Sequence, residues 1–280
     1  MIVKRIVTGL VLAAIVVVLI WLGGIPFVTA ACIIAILAGI EFYRIVKNQG
    51  IQPFSWLGIV FSVLLIVNAY IEQYNFSFLP YPRDFTLPLL LTLMTLIPLI
   101  WLLFRPNKDK AFINWGWTIA GILYTGWLLS YYIQIRQLEN GMGWIFLVVT
   151  CTALCDVGAY AVGSNLGKHA MASSVSPGKT WEGSVGGLLT SVIVAVILAI
   201  AFKLPLYYWQ MVAAGLIIGV FAQIGDLVES LLKRNMHTKD SGSLLPGHGG
   251  MLDRIDSHLL VAPIAYYLIV LVNNQGWLPV

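Results

Sequence analysis

Charge is what this chain has least of. Only 10% of its 280 residues are Asp, Glu, Lys or Arg, against about 25% in ordinary soluble domains. Hydrophobic residues make up 59% and the mean hydropathy is +0.89, which excludes a soluble globular domain. A net charge of +4 on so oily a chain gives no footing for nucleic acid as a partner. Cysteine is scarce too. Cys32, Cys151 and Cys155 all stand in apolar stretches, so no disulfide framework is expected, and although Cys151 and Cys155 share a helix face, no second pair completes a zinc site. No HxxxH or ExxH pair occurs, which argues against zinc or di-iron. The basic and then apolar N-terminus leads to TAAC ending at Cys32, but the apolar pattern runs on to about Ile40, so a cleaved lipoprotein signal is not expected.

What is present is a succession of apolar runs. A bilayer core of about 30 Å needs roughly 20 apolar residues in a helix, because the backbone must satisfy its own hydrogen bonds there. Nine runs fit, at about 6–22, 26–42, 54–71, 86–104, 115–133, 143–163, 184–202, 207–225 and 258–273, with Gly23-Gly24 and Pro26 marking the first turn. The expected fold class is therefore an all-α polytopic membrane protein of about nine transmembrane helices. With the N-terminus cytoplasmic and the C-terminus outside, 13 of the 16 basic residues fall in cytoplasmic segments, and only Arg83, Arg136 and Lys203 fall outside. Both long polar loops, 164–183 and 226–257, then face the cytoplasm. Trp115, Trp117, Trp127, Trp144, Trp209 and Trp277 lie near predicted span ends and read as interfacial anchors.

No internal repeat is visible, and polar punctuation is concentrated after the sixth and eighth runs. The chain divides accordingly into a transmembrane scaffold, 1–142, and a chemistry-bearing region, 143–280. An ion-coupled transporter would call for matching halves with paired broken helices, whereas here the conspicuous polar loops occur in one half.

Four features of that half can carry chemistry. Asp156 lies within the sixth run, where a carboxylate is costly unless it faces water or a partner; Gly158, Gly163 and Gly167 around it suit close helix packing. Ser176, Lys179 and Thr180 precede the seventh run, where free backbone N–H groups of a helix N-terminus would hold an anion such as phosphate. Equally, Thr180 can cap that helix, with Glu182 in its first turn. GKT here is not a Walker loop, because the earlier glycine and the strand are missing. If the eighth helix continues past the membrane, Asp226, Glu229, Ser230 and Lys233 share one face. Finally, Asp253 and Asp256 are three residues apart, a spacing that suits magnesium, which takes one or two carboxylates and completes its shell with water and substrate phosphates. Arg254 can clamp phosphate, and His248 reads as a loop hydrogen-bond donor.

The stretch from Ser230 to Asp256 resembles the signature of the phosphatidate cytidylyltransferase (CDP-diacylglycerol synthase) family. The resemblance is carried by Ser230, Leu232, Lys233, Arg234, Lys239, Asp240, Gly242, Leu245, Pro246, His248, Gly249, Gly250, Met251, Asp253, Arg254, Ile255 and Asp256, without a departure. Segments around Asp156 and Ser176-Pro177-x-Lys179-Thr180-x-Glu182-Gly183 extend it over about 150–260. The resemblance implies that CTP and phosphatidate, a membrane lipid, give CDP-diacylglycerol and pyrophosphate with Mg2+, in the bacterial cytoplasmic (inner) membrane with the site facing the cytoplasm. On this reading the catalytic set is Asp226, Lys233, Arg234, Lys239, Asp240, Asp253 and Asp256. Ser176, Lys179, Thr180, Glu182, Ser230, His248, Gly249, Gly250 and Arg254 bind substrate, and Asp226, Asp253 and Asp256, then Asp156, are the metal candidates. A related CTP-dependent lipid or polyprenol kinase, which attacks the γ-phosphorus, is the alternative; a homo-oligomer stays open.

Overall fold

Two adjacent glycines make the first turn. Gly23 and Gly24 take φ of 61° and 51°, a left-handed region open to residues without a Cβ, so α1 (Ile2–Leu22) passes directly into α2 (Gly24–Lys47). The computed structural model describes residues 2–72, 85–105, 108–242 and 249–274. The helices that follow are α3 (Ser55–Ile71), α4 (Thr86–Trp101), α5 (Ala111–Gly121), α6 (Leu128–Gln137), α7 (Gly141–Leu166), α8 (Trp181–Ala201), α9 (Tyr208–Asn235) and α10 (Leu252–Asn274). A π-helical turn, Ile122–Trp127, joins α5 to α6.

Among the described residues six helical stretches are long and apolar enough to cross a bilayer: Gly24–Lys47, Thr86–Phe104, Gly141–Leu166, Trp181–Ala201, Tyr208–Asn235 and Leu252–Asn273. The protein is thus a mostly helical, multi-pass membrane protein. One element departs from the all-helical expectation: an antiparallel hairpin, β1 (Ala170–Ala172) and β2 (Ser176–Thr180), stands where a loop was expected. Its strands pair Ala170 with Thr180 and Ala172 with Ser176, with an irregularity between.

The chain divides into two compact units, Met1–Gln134 with Met236–Arg254, and Ile135–Asn235 with Ile255–Val280. In the first, α2, α3 and α5 approach closely because Gly58 and Gly121 leave room for the Tyr43 ring. The buried Tyr43 hydroxyl donates to the Thr118 carbonyl at 2.8 Å. Thr118 in turn accepts the Phe54 amide at 2.9 Å, and Phe54 joins Leu57, Phe61, Leu65, Met94, Leu102 and Ile122 in the apolar core.

In the second unit, α7, α8 and α9 pack through small residues, the contact that lets backbones approach where no hydrophobic drive separates helix from lipid. Gly158 lies against Thr190, Gly187 against the Cys155 carbonyl and Gly219 against Ser191. Cys151 and Cys155 are free and buried, and their thiols donate to the Ser191 and Gly219 carbonyls at 3.5 and 3.7 Å. A further close approach joins α9 to α10: a Cβ on Gly225 would fall 2.9 Å from both the Asp256 carbonyl oxygen and Ser257 Cα. A methyl group there would cost about 1–3 kcal/mol by overpacking.

The tryptophans read as anchors do not behave alike. Trp209 is exposed, but Trp144 is only 2% exposed and belongs to the core; its position at the first turn of α7 buries it among the second unit's helices. Trp115 and Trp127 pack on the first unit's core, and Trp277 lies outside the described residues.

Candidate active site

Three helices of the second unit each bring one carboxylate to the same end of the bundle: Asp156 from α7, Asp226 from α9 and Asp256 from α10. Gly225 explains part of the convergence, since it lets the α10 backbone reach α9 one residue before Asp226. Ser257 ties the group together: its amide donates to Asp256 Oδ1 at 2.6 Å, and its hydroxyl donates to Asp156 Oδ2 at 3.4 Å. Asp156 is exposed, and Asp226 and Asp256 are half-buried, so none of the three carboxylates is sealed in the apolar core, where a bare charge would be costly.

Cations come from the hairpin and from the end of α9. Lys179, on β2 just before α8, sets its Nζ 2.5 Å from Asp226 Oδ2. Ser230 donates to the other Asp226 oxygen at 3.4 Å. Two helical turns beyond Asp226, Lys233 is ion-paired with the fully buried Glu229. Arg234 donates from Nε to the Val175 carbonyl at 3.2 Å. The α9 terminus therefore grips the hairpin turn, and α9 does continue beyond 225 with Asp226, Glu229, Ser230 and Lys233 on one face.

The N-terminus of α8 shows both features weighed for it. Thr180 caps the helix by accepting the Gly183 amide at 3.1 Å, and Glu182 stands in the first turn. Glu182 accepts the Lys168 and His169 amides at 3.1 and 3.2 Å and pairs with His169 Nδ1 at 2.6 Å, which pins the strand entering the hairpin. Ser176 opens β2.

The signature segment 236–254 belongs to the first unit. Lys239, Asp240 and Arg254 are exposed. Asp253 Oδ2 accepts the Gly250 amide at 2.9 Å and the Ser241 amide at 3.1 Å, so its carboxylate holds the two ends of the segment together. Gly249 has a φ of 80° and would place a Cβ 3.0 Å from that same oxygen, so glycine is required. His248 lies outside the described residues.

Two contributors escaped the sequence reading. Ser257 follows Asp256 directly and could have been suspected from that alone. Glu41, 2% exposed within α2, accepts the Leu252 amide at 2.8 Å and the Ser241 hydroxyl at 3.2 Å on Oε2. Its signal was a carboxylate at the end of an apolar run.

Comparison with known proteins agrees with this chemistry. A family model described as the cytidylyltransferase family matches residues 3–272. The phosphatidate cytidylyltransferase of Bacillus subtilis (strain 168) is 33% identical over 96% of this chain and 97% of its own length. That of Synechocystis sp. is also 33% identical, over 96% of each chain.

Proposed function

The chain belongs to the cytidylyltransferase family, and we propose that it transfers the cytidylyl group of CTP to phosphatidate, giving CDP-diacylglycerol and pyrophosphate for phospholipid synthesis. The observation that carries this reading is the cluster in which acids from three helices meet at one end of the unit, with Lys179 paired to Asp226 and with Lys233 and Arg234 at the end of the same helix α9. Acids beside basic residues at the end of a membrane bundle suit a reaction between two phosphate groups, one from lipid and one from water. The nucleophile is a phosphate monoester oxygen, largely ionised near neutral pH because its second pKa is about 6, so no strong base is needed. That oxygen attacks the α-phosphorus in line. A new P–O bond forms there as the bond from the α-phosphorus to the bridging oxygen breaks, and pyrophosphate leaves with the electron pair.

The residues' work is positioning and charge neutralisation. Lys179, Lys233 and Arg234 take substrate phosphates, and Lys239 and Arg254 are proposed as further phosphate contacts in the bound state. Among the described residues no three His, Cys, Asp or Glu side chains form a protein-only metal site. Magnesium asks for less, one or two carboxylates with water and phosphate completing the shell, and Asp226 and Asp256 fit that requirement with Asp156 beside them. When bound there, Mg2+ would neutralise the triphosphate and the departing pyrophosphate. Asp253, whose carboxylate is taken up by backbone amides, enters this proposal as the anchor of its segment.

Nine membrane crossings, with the N-terminus inside and the acid cluster facing the cytoplasm of a bacterial inner membrane, complete the reading. The distribution of basic residues supports it, and CTP is cytosolic. The decisive test uses purified protein, phosphatidate and CTP labelled at either the α- or the γ-phosphate. The expected result is α-label in the lipid and γ-label in pyrophosphate. Transfer of γ-label to lipid, with CDP released, would instead identify a lipid kinase.

A further inference from the structure

Glu41 sits in a membrane-spanning helix remote in sequence from every acid considered above, yet it is one of the most buried polar groups in the first unit, 2% exposed. Burying a carboxylate is expensive, several kcal/mol even after relaxation, so its contacts need a reason. Oε2 accepts the amide of Leu252, the first residue of α10, at 2.8 Å. That amide is one of the helix donors left without an intrahelical partner, and the positive end of the helix favours an anion. The same oxygen accepts the Ser241 hydroxyl at 3.2 Å. Oε1 is buried and has no hydrogen-bond partner among the described residues.

Two glycines of the signature segment are explained by this carboxylate. A Cβ on Gly242 would lie 2.5 Å from Glu41 Oε1, and one on Gly250 would lie 2.5 Å from Oε2. The segment is thus built around Glu41: Ser241 bonds to it, Gly242 and Gly250 yield space to it, and Leu252 starts its helix on it. Asp253 holds the same segment from the other side through the Ser241 and Gly250 amides.

We infer that Glu41 is a positioning residue for the transfer reaction, fixing Ser241, Gly242, Gly250 and the start of the helix that carries Asp256 four residues later. The inference rests on the proposed cytidylyl transfer, and it gives α2 a part in placing the start of α10.

The test is steady-state kinetics of purified, detergent-solubilised Glu41→Ala, Glu41→Gln and Gly242→Ala, with thermal unfolding and size-exclusion profiles in parallel. Glu41→Ala should lower kcat by up to about 100-fold, the cost of misplacing reacting groups by about 1 Å. KM for phosphatidate should stay near wild type, and Glu41→Gln, which keeps one acceptor oxygen for Leu252, should recover much of the loss. Gly242→Ala should lower kcat in the wild-type background and cost nothing further beside Glu41→Ala, because its three nearest clashes are all with Glu41. Glu41→Ala with wild-type kcat per folded molecule, its only defect a lower yield or melting temperature, would overturn the inference. Should that variant not fold, Gly242→Ala with undiminished kcat overturns it alone. Failure of the parent reading looks different: the wild-type protein would then release no pyrophosphate from CTP and phosphatidate.

Discussion

Removing the Lys179 ammonium should have two opposite effects, and their signs can be worked out from its ion pair with Asp226. The Nζ lies 2.5 Å from Asp226 Oδ2, with the two side chains 24% and 30% exposed. In the proposed reaction Lys179 serves phosphate, while Asp226 serves the cation, so magnesium competes with Lys179 for that carboxylate. A unit pair at about 4 Å and an effective dielectric near 20 interacts by about 4 kcal/mol. Water and salt at a partly open site reduce this to about 1–2 kcal/mol. Lys179→Ala should therefore lower the magnesium concentration needed for half-maximal binding by about tenfold, since about 1.4 kcal/mol is one decade. Turnover should fall by about 100- to 1000-fold, the usual loss when one donor to developing charge is removed. Pyrophosphate release in phosphatidate-containing micelles across a magnesium titration reads the second effect, and calorimetric titration with magnesium reads the first. An unchanged or raised magnesium requirement would refute the competition, and undiminished turnover would remove Lys179 from the phosphate clamp.

Asp256→Asn should reduce turnover by orders of magnitude without unfolding the protein, whereas Asp253→Asn, which keeps an acceptor for the Ser241 and Gly250 amides, should lose less; equal losses in the same assay would count Asp253 among the ligands. Single cysteines in a background lacking the native three should react with an impermeant reagent in intact cells at Arg136 and Lys203 and be spared at Lys108, Lys168 and Lys239. Labelling at Lys239 from outside would sink the proposed orientation.

The sequence-level reading located the helices because apolar runs and the Gly23-Gly24 turn are local signals. It also anticipated the Thr180 cap and the polar face of α9, both of which follow from spacings of three or four residues. The hairpin escaped because strands of three and five residues with an irregular register carry no alternation to detect. Convergence of Asp156, Asp226 and Asp256 depends on which glycines let helices touch, and no spacing within one helix encodes it. Glu41 was hidden for the same reason: its partners lie 200 and 211 positions away, and next to Arg44 and Lys47 it reads as an ordinary residue at a membrane boundary. Trp144 misled because the same amphipathic ring serves equally well in a core.

The close approach at Gly225 would make a fulcrum if α9 and α10 tilted against each other. Where two helices meet backbone to backbone, as Gly225 meets Asp256 and Ser257, rotation of one against the other pivots at the contact and sweeps the far ends through the largest arc. Thinner or thicker bilayers act on transmembrane helices by changing their tilt. Tilting α9 against α10 would therefore swing Trp209 and Leu271, more than ten residues from the pivot along each helix, while Asp226 and Asp256 beside it barely part. Lipid composition can reshape the apolar flank of this unit and leave the spacing of its two acids almost untouched.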